Sequence, residues 1–311
     1  MILYIGNNIK SNVEPMMVQL SASLSKKYHI KLVSGKSNVV MRMLHIIGAI
    51  FYRKKTINLA IIDTFSTLAF YYALISSIVL RFLGIPYIPI LHGGNIERRF
   101  IKNPTMCKII FNNSYCNVSP SKYLLDMLKK YGYHGKYIPN FIDINEYKYI
   151  PRDKCRPNLL WVRSFHSTYN PIMAIKVIKK LIVKFPNAML CMVGPDKDGE
   201  LEKCKKFAES EGISESIVFT GMLDKKEWIE MSSNYDIFLN TTNVDNMPVS
   251  VIESMALGLQ IVSTEVGGIP YLINNRIDGL LVEKNNHNEM ADTVQKLISD
   301  NKLSARISLQ A

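Results

Sequence analysis

The sequence predicts an α/β fold with two doubly wound parallel sheets, one in each of two domains. Short runs rich in Val, Ile and Leu alternate with amphipathic segments along the 311 residues. Continuous apolar strands that alternate with helices are typical of parallel sheets covered on both faces. The alternation is interrupted by the polar stretch 143–157 and then restarts. We therefore place the domains at residues 1–150 and 151–311, both of ordinary domain size.

The first half contains strand and helix candidates in regular alternation. The strand candidates are Ile2–Ile5, Ile30–Val33, Leu59–Ile62, Tyr87–Leu91 and Asn117–Val118. The helix candidates carry apolar residues at helical spacing and are Pro15–Lys27, Leu68–Leu83 and Lys122–Lys130. The last helix begins after Ser119-Pro120-Ser121 and ends before Gly132, which are common start and stop signals.

The second half repeats the same alternation. Its strand candidates are Leu159–Val162, Met189–Val193, Ile217–Phe219, Asp236–Leu239, Gln260–Ser263 and Gly279–Val282. Its helix candidates are Pro171–Lys184, Glu200–Glu211, Pro248–Leu257 and Asn288–Ser299. Open parallel sheets bind ligands beyond the carboxyl ends of their strands. The residues that follow the strands are therefore the first candidates for a site: Asn7, Asp63, His92, Arg163, Gly194, Gly221, the loop 241–248 and Gly267.

The charge balance favours polyanionic partners. Lys and Arg number 38 against 26 Asp and Glu, a formal net charge of +12, which attracts phosphates, nucleic acid or an anionic membrane face. No nucleic-acid-binding module and no interleaving of aromatic and basic residues is recognisable, so we expect no nucleic-acid partner. The five cysteines form no C-x-x-C pair and the six histidines are scattered. This pattern indicates reduced thiols in a cytoplasmic protein without a metal site.

Two apolar segments bear on membrane contact. Residues 68–83 include Ser76, Ser77 and Arg81 and are too few to span a bilayer, so we expect a buried crossover helix. Residues 39–55 combine apolar positions with Arg42, Arg53 and two lysines. A basic amphipathic helix suits an anionic membrane face. The alternative is a core helix with a basic end.

The stretch 245–258 carries the most chemical information. Asp245 lies in a loop beyond a strand, Pro248 suits the first turn of the helix that follows, and Glu253 lies further along that helix. Free N–H groups and the helix dipole at such a start attract phosphate. The carboxylate of Glu253 can accept two hydrogen bonds from a ribose, and Asp245 can meet the hydroxyls of a sugar.

This stretch resembles glycosyltransferase family 4, the retaining enzymes of the GT-B fold. Their pattern is Glu, seven residues, Glu, then Ala-Met-Ala-x-Gly, a small strand and Gly-Gly. The matching segments follow in order over nearly the whole chain: Ile90-Leu91-His92-Gly93, Ile138-Pro139-Asn140-Phe141-Ile142-Asp143, Val193-Gly194-Pro195, Val218-Phe219-Thr220-Gly221, Glu253-Ser254-Met255-Ala256-Leu257-Gly258, Gly267-Gly268-Ile269-Pro270 and Asn275–Val282.

The resemblance implies a GT-B fold, in which two Rossmann-like domains face a central cleft. It implies a retaining, metal-independent transfer of a hexose from a nucleotide-diphospho-sugar to a glycan or lipid-linked acceptor in surface polysaccharide biosynthesis, such as lipopolysaccharide or capsule. No other cofactor is expected. The implied catalytic residues are His92, Asp245 and Glu253. The implied donor-binding residues are Arg163, Gly194, Asn246, Met247, Pro248, Val249 and Glu253. Because lipid-linked acceptors are common in the family, it favours peripheral contact with the inner face of the plasma membrane.

Acceptor binding is assigned to Asn7, Glu97 and Arg98. A solvated charged loop is the alternative for Glu97 and Arg98. Several positions depart from the family pattern. Asp245 replaces Glu, Arg163 comes one position early, and Tyr169 stands where Lys is usual. The family's final helix, which crosses back to the first domain, is expected to be missing.

Alternatives remain open at this point. Taken alone, Glu253 reads as a solvated helix residue, His92 as structural, Asp245 as a helix cap and Arg163 as a surface ion-pair partner. The altered phosphate-binding positions also fit a non-catalytic sugar-nucleotide-binding subunit. A sugar-nucleotide epimerase or a phosphorylase would keep the fold and change the reaction. A basic nucleic-acid binder is the last alternative, and binding that weakens steeply with salt is its signature.

Overall fold

The computed structural model describes residues 1–6, 16–33, 35–36 and 38–311. The chain divides into two compact units, residues 1–140 and 141–311. Segment 141–150, which the sequence analysis assigns to the first domain, packs on the second unit. There Ile150 donates its N–H to the Leu257 carbonyl (3.3 Å), and the Tyr149 hydroxyl donates to the Ser308 carbonyl (2.7 Å). The division therefore lies just ahead of the polar stretch 143–157.

The first unit is built on a parallel sheet. Its strands are β1 (Ile2–Ile5), β2 (Ile30–Val33), β3 (Leu59–Thr64), β4 (Tyr87–Leu91), β5 (Asn117–Ser119) and β6 (Gly135–Tyr137). In the described part of this unit they form one six-stranded sheet in the order β2-β1-β3-β4-β5-β6. Every neighbouring pair is parallel, and β1 pairs with β3 in the register Ile2 to Leu59. All the carboxyl ends therefore lie at one edge.

Helices cover both faces of this sheet. They are α1 (Met16–Ser25), α2 (Val39–Arg53), α3 (Ala69–Phe82), α4 (Glu97–Lys102), α5 (Pro104–Phe111) and α6 (Lys122–Lys130). Phe70, Ile62 and Leu124 are among the fully buried residues between sheet and helices. As predicted, α6 begins after Ser121, whose hydroxyl accepts a hydrogen bond from the Leu124 N–H (3.1 Å).

The second unit repeats the plan. Its strands are β7 (Asn158–Val162), β8 (Met189–Val193), β9 (Ile217–Gly221), β10 (Ile237–Asn240), β11 (Gln260–Thr264) and β12 (Leu280–Val282). They form a six-stranded parallel sheet in the order β12-β11-β10-β7-β8-β9. Strands β7 and β10 are neighbours although the chain between them includes two other strands. This crossover brings the loops after β7 and β10 side by side.

Helices pack on both faces of the second sheet as well. They are α7 (Pro171–Ile182), α8 (Glu200–Ser210), α9 (Lys225–Met231), α10 (Val249–Ala256), α11 (Ile269–Leu272), α12 (His287–Ser299) and α13 (Asn301–Gln310). One core contains Trp161 and Val294, and the other contains Phe238 and Val251. Alternate residues of the strands enter the two cores, which is why these strands are apolar throughout.

The predicted strands and helices are present, and the α/β prediction with two parallel sheets is confirmed. The elements that the sequence analysis did not identify are short: β6, α4, α5, α9 and α11, together with the later α13. Periodicity needs about 11 residues to be recognised, and most of these elements are shorter than that.

The apolar stretch 68–83 forms α3, which buries Phe70, Ala73 and Leu80 in the core of the first unit. This outcome confirms the predicted buried helix. Within the described residues, no helix combines the length and the apolar content that crossing a bilayer requires.

Candidate functional site

The loop 241–248 connects β10 to α10 at the carboxyl edge of the second sheet. Pro248 is the N-cap of α10, with backbone angles of −68° and 118°, so the helix begins one residue later than predicted, at Val249. Pro248 makes no side-chain cap, and Asp245 Oδ1 accepts a hydrogen bond from the Asn246 N–H (2.8 Å), which lies ahead of the helix. The Val251 N–H donates to the Pro248 carbonyl (3.1 Å), which leaves the N–H groups of Val249 and Ser250 at a helix start of the kind that attracts anions.

Glu253 lies in the second turn of α10 and is buried, not solvated. Its Oε1 accepts a hydrogen bond from the Tyr147 hydroxyl (2.7 Å), and the Lys225 ammonium lies 3.9 Å from the same oxygen. Burial raises the pKa of Glu253, while the hydrogen bond from Tyr147 and the charge of Lys225 oppose that rise. The carboxylate is thus held in place through one oxygen, and Oε2 remains for a ligand hydroxyl.

Asp245 and Arg163 form an ion pair between the loops that follow β10 and β7. Arg163 Nη2 contacts Asp245 Oδ2, and the two side chains are 17% and 16% exposed. The guanidinium also lies over the Tyr169 ring, 4.6 Å from its centroid. Burial lowers the pKa of Arg163. Arg163 is therefore a largely buried cation with a buried partner and not a surface ion-pair residue.

Three glycines allow backbone segments to approach closely around this pair. A side chain at Gly194 would overlap the Arg163 carbonyl, and one at Gly268 would overlap the Asn246 carbonyl. Gly267 has a φ of +55°, and its missing Cβ would overlap the Asp245 carbonyl. The Gly268 N–H donates to that carbonyl (3.0 Å). The Gly-Gly turn after β11 therefore supports the loop that carries Asp245 and Asn246.

Several buried polar atoms at this edge have no partner in the described part of the chain. Of six such side-chain atoms, three lie here: Arg163 Nε, Asn243 Oδ1 and Ser250 Oγ. Arg163 follows β7, Asn243 lies in the loop after β10, and Ser250 lies in the first turn of α10. An unpaired buried polar group costs about 1–3 kcal/mol. A guanidinium donor, an amide acceptor and a hydroxyl that can both donate and accept suit a polar ligand.

His92 lies in the first unit, directly after β4. Its Nε2 is 2.9 Å from Asp63 Oδ1, and its ring stacks on Phe65 with centroids 4.8 Å apart. The Tyr4 hydroxyl donates to the same Asp63 oxygen (3.0 Å). Burial is the main reason that the pKa of Tyr4 is raised, so its hydroxyl keeps its proton.

The acceptor candidates have different surroundings. Asn7 lies outside the described residues. Glu97 accepts hydrogen bonds from Lys130 (2.7 Å) and Tyr131 (3.2 Å), and the bond from Lys130 lowers the pKa of Glu97. Arg98 is exposed. Glu97 is thus held by α6, and Arg98 is the freer of the two to meet a substrate.

Four residues hold the predicted ones, and three of them, Tyr4, Tyr147 and Lys225, were not among the predicted site residues. Tyr147 and Lys225 contact Glu253, and Tyr4 and Asp63 support His92. Asp63 was predicted as a candidate site residue because it follows a strand. Tyr147 and Glu253 are 106 positions apart in the sequence, so no local pattern indicates that pair. Among the described residues, no three His, Cys, Asp or Glu side chains are grouped as a metal site would need.

Comparison with known proteins identifies glycosyltransferases that are similar to part of this chain. A D-inositol 3-phosphate glycosyltransferase of Corynebacterium jeikeium is 27% identical over 138 residues, 43% of this chain and 33% of that protein. An uncharacterized glycosyltransferase of Haemophilus influenzae is 30% identical over 135 residues, 43% of this chain and 37% of that protein. The matches thus span about a third of the length of these relatives.

Solved structures resemble the chain over nearly its full length. Anabaena HepE in complex with UDP has a TM-score of 0.77 at 15% identity, covering 99% of this chain and 92% of that one. Sucrose-phosphate synthase from Thermosynechococcus elongatus has a TM-score of 0.78 at 13% identity, with the same coverage of 99% and 92%. These likenesses confirm the predicted GT-B fold.

The family comparison covers the unit that holds Arg163, Asp245 and Glu253. The model of the family described as "Glycosyl transferases group 1" matches residues 146–311. This range begins next to Tyr147 and includes every described element of the second sheet. Since the match covers more than half of the chain, the protein belongs to the group 1 glycosyl transferases.

Proposed function

We propose that the protein is a retaining glycosyltransferase of family 4. It transfers a hexose from a nucleoside-diphosphate sugar to a glycan or lipid-linked acceptor in surface polysaccharide biosynthesis. One observation carries the proposal: the ion pair of Arg163 with Asp245 lies at the carboxyl edge of β7 and β10, where a Gly-Gly turn supports the loop that leads into α10 and its Glu253.

Each part of the donor has a complementary group at this edge. The free oxygen of Glu253 suits a ribose hydroxyl because Tyr147 already occupies Oε1. The first-turn N–H groups of α10 and the Arg163 guanidinium suit the diphosphate. Asp245 lies next to Arg163 and suits a sugar hydroxyl. Anabaena HepE, a structural neighbour, was crystallised with UDP and with UDP-glucose, which supports UDP as the first nucleotide to test.

Catalysis by these groups is electrostatic. The bond from the sugar to the diphosphate breaks as negative charge develops on the leaving phosphate, and Arg163 with the α10 dipole stabilises that charge. The departing phosphate accepts the proton of the attacking hydroxyl. His92, in the first unit, contributes a contact to a sugar substrate. We expect transfer without a bound metal, because a fixed guanidinium and backbone N–H groups supply the positive charge.

We propose a lipid-linked acceptor at an anionic cytoplasmic membrane surface. α2 buries Ile46 and Ile50 while its other side exposes apolar residues, with Val40 65% and Tyr52 84% exposed. Basic residues follow at positions 53–55, so charge complementarity favours anionic lipid. A relative from Campylobacter jejuni, 30% identical over 87 residues, is named for transfer to a diphospho-undecaprenol glycan; it covers 28% of this chain.

Calorimetry tests the donor site. We expect one of UDP, GDP and ADP to bind the native protein, and Glu253→Ala to weaken that binding about tenfold or more. Glu209→Ala, at an exposed position of α8, is the matched control and should bind normally. Equal binding of the nucleotide by Glu253→Ala and Glu209→Ala would show that Glu253 does not contribute to the nucleotide site. No binding of any nucleoside diphosphate to the native protein would overturn the proposal.

A transfer assay then separates the alternatives. Consumption of the donor sugar only in the presence of acceptor, with the anomeric configuration retained and no loss of rate in EDTA, is the expected result. Isomerisation of the sugar nucleotide without acceptor would indicate an epimerase. Binding without turnover, under all acceptors of a lipid-linked and free glycan panel, would indicate a non-catalytic subunit.

Vesicle sedimentation tests the proposed binding of the protein to an anionic membrane surface. The protein should bind vesicles that contain phosphatidylglycerol and not vesicles of phosphatidylcholine alone. Val40→Asp with Leu44→Asp should abolish this binding, because both side chains are exposed on α2. Val183→Asp places one such charge at an 85% exposed site of the second unit and should leave binding intact. Equal loss in both proteins would contradict docking through α2.

A further inference from the structure

Three side chains of the first unit form a hydrogen-bonded chain. Tyr4 on β1 donates its hydroxyl to Oδ1 of Asp63 on β3 (3.0 Å). Nε2 of His92, directly after β4, lies 2.9 Å from the same oxygen. Tyr4 and Asp63 are buried, whereas the His92 side chain is 15% exposed. Only the histidine end of this chain reaches the surface.

The donors and acceptors of the chain determine where its protons lie. An ionised carboxylate is an acceptor only. The buried Tyr4 hydroxyl keeps its proton and donates it to Asp63 Oδ1. Asp63 Oδ1 therefore accepts from Tyr4 and from His92, so the proton of a neutral His92 ring sits on Nε2. Nδ1 of that ring then carries a lone pair.

The surroundings hold this arrangement in one geometry. The backbone N–H of His92 donates to the Thr64 carbonyl (2.9 Å). The imidazole ring stacks on Phe65 at an interplanar angle of 20°. On the other side, a side chain at Gly6 would overlap Asp63 Oδ2. The imidazole plane and the carboxylate are thus both confined, and a ring flip would break the bond to Asp63.

We infer that Asp63, held by Tyr4, positions His92 as the Nε2-protonated tautomer and leaves Nδ1 to accept a hydrogen bond from a sugar hydroxyl. This inference rests on the proposed function, because a glycosyl transfer site is what brings a sugar hydroxyl to His92. Asp63 and Tyr4 act through His92 and touch no substrate, so both are positioning residues.

The tautomer can be measured without substrate. Long-range ¹H–¹⁵N correlation spectra of ¹⁵N-histidine-labelled full-length protein at pH 8 distinguish the two neutral tautomers and the imidazolium. Comparison with His92→Gln assigns the signal among the six histidines. We expect the Nε2-protonated form in the native protein and a mixture of tautomers in Asp63→Asn. A native signal from the Nδ1-protonated form or from the imidazolium would overturn the inference.

Kinetics test the positioning role. Asp63→Asn should lower kcat/KM about 10- to 100-fold, as expected when a charge-assisted hydrogen bond is lost. UDP affinity by calorimetry should stay unchanged, since the proposed nucleotide site lies in the second unit. The double variant Asp63→Asn, His92→Gln should be no slower than His92→Gln alone, because the two residues act as a unit. Additive losses would contradict positioning through His92.

Two further variants guard against a purely structural effect. Tyr4→Phe keeps the buried ring and removes one bond to Asp63, and we expect a smaller loss of kcat/KM in the same direction. Asp126→Asn makes the same change at an exposed carboxylate of α6 and should leave rate and tautomer unchanged. If UDP does not bind but the expected tautomer is found, the proposed function is wrong and the inferred proton arrangement is supported. If UDP binds normally but the other tautomer is found, the inferred proton arrangement is wrong and the proposed function is not affected.

Discussion

The hydroxyl of Tyr147 donates a 2.7 Å hydrogen bond to Oε1 of Glu253, although 106 residues separate the two in the chain. Tyr147 is 6% exposed and packs in the core that also contains Val251 of α10. The Lys225 ammonium lies 5.2 Å from the centre of the Tyr147 ring and 3.9 Å from Glu253. Tyr147 thus links the segment that precedes β7 to the carboxylate proposed to bind ribose.

Tyr147→Phe should weaken UDP binding about three- to tenfold. The substitution removes one hydrogen bond to a buried carboxylate, an effect of about 1 kcal/mol or slightly more, and it lets Glu253 leave its orientation. Calorimetry with UDP measures the loss. A 2′,3′-dideoxy analogue of UDP should bind the native protein and Tyr147→Phe equally, because it has no ribose hydroxyls to donate hydrogen bonds to Glu253.

Tyr149→Phe is the matched control. Tyr149 lies two residues away and donates to the Ser308 carbonyl (2.7 Å), so its hydroxyl makes an equally short bond that does not involve Glu253. We expect a lower midpoint of thermal unfolding and unchanged UDP affinity. Equal effects of the two variants on UDP binding would show that the Tyr147 bond serves the fold and not the ligand.

Glu253→Gln should weaken UDP binding and stabilise the fold at pH 8. Burial raises the pKa of Glu253 in the folded protein, so the folded state binds a proton more tightly than the unfolded state does. The stability linked to this group is present below its unfolded pKa and is lost as the pH rises through its folded pKa. Ionised Glu253 therefore costs stability at pH 8, and the neutral glutamine removes that cost.

The pH dependence of this difference is the check. At pH 8 the midpoint of thermal unfolding should be higher for Glu253→Gln than for the native sequence. The difference should shrink toward pH 4, because Glu253 of the native sequence then becomes protonated in the folded and the unfolded state alike. Glu209→Gln on the exposed side of α8 should show no such trend. A variant that is less stable than the native protein at pH 8 would mean that Tyr147 and Lys225 outweigh the burial of the charge.

Much of the fold could be predicted from the sequence because the signals are local. The strands of the second sheet are apolar on both faces. The bounds of α10 are indicated by Pro248 at its start and Gly258 after its end. The order of the strands was not predicted, since no local pattern states that β7 neighbours β10. Short elements such as α11, with four residues, carry too few positions for a period to emerge.

The candidate site was predictable only where its residues lie in one motif. The stretch 245–258 placed Asp245, Pro248 and Glu253 together. The ion pair between Asp245 and Arg163 was not predicted, because it depends on β7 and β10 being neighbours. Arg163 comes one position early relative to the family pattern. Its guanidinium lies over the ring of Tyr169, the residue that stands where Lys is usual.

Asp245→Asn should tighten UDP binding about two- to fivefold while lowering sugar transfer. Asp245 holds Arg163 through its carboxylate and competes with the diphosphate for the same guanidinium. The unpaired Arg163 should also lower the midpoint of unfolding, and added UDP should restore it by supplying a new partner.

Arg163→Gln gives the opposite result. It removes the guanidinium itself, and we expect UDP affinity to fall about tenfold or more. Calorimetry with UDP and a transfer assay with UDP-sugar separate the two variants. If Asp245→Asn binds UDP more weakly than the native protein, the ion pair organises the phosphate site instead of competing with it.

Gly268→Ala should damage nucleotide binding through the backbone alone. Gly268 has an ordinary φ of −85°, so alanine can adopt its conformation, but the added methyl group would overlap the Asn246 carbonyl. Because the overlapping atom is backbone, the loop that carries Asp245 and Asn246 must move. Overpacking of this kind costs about 1–3 kcal/mol. We expect a lower midpoint of thermal unfolding and UDP binding weakened about tenfold.

Gly48→Ala makes the same substitution in α2, where a Cβ meets nothing within 4 Å. There alanine should raise stability by about 1 kcal/mol through its helix propensity and leave UDP binding unchanged. The pair of variants separates the effect of a methyl group from the effect of its position. Normal UDP binding by Gly268→Ala would show that the loop tolerates displacement, and the Gly-Gly turn would then have no part in shaping the phosphate site.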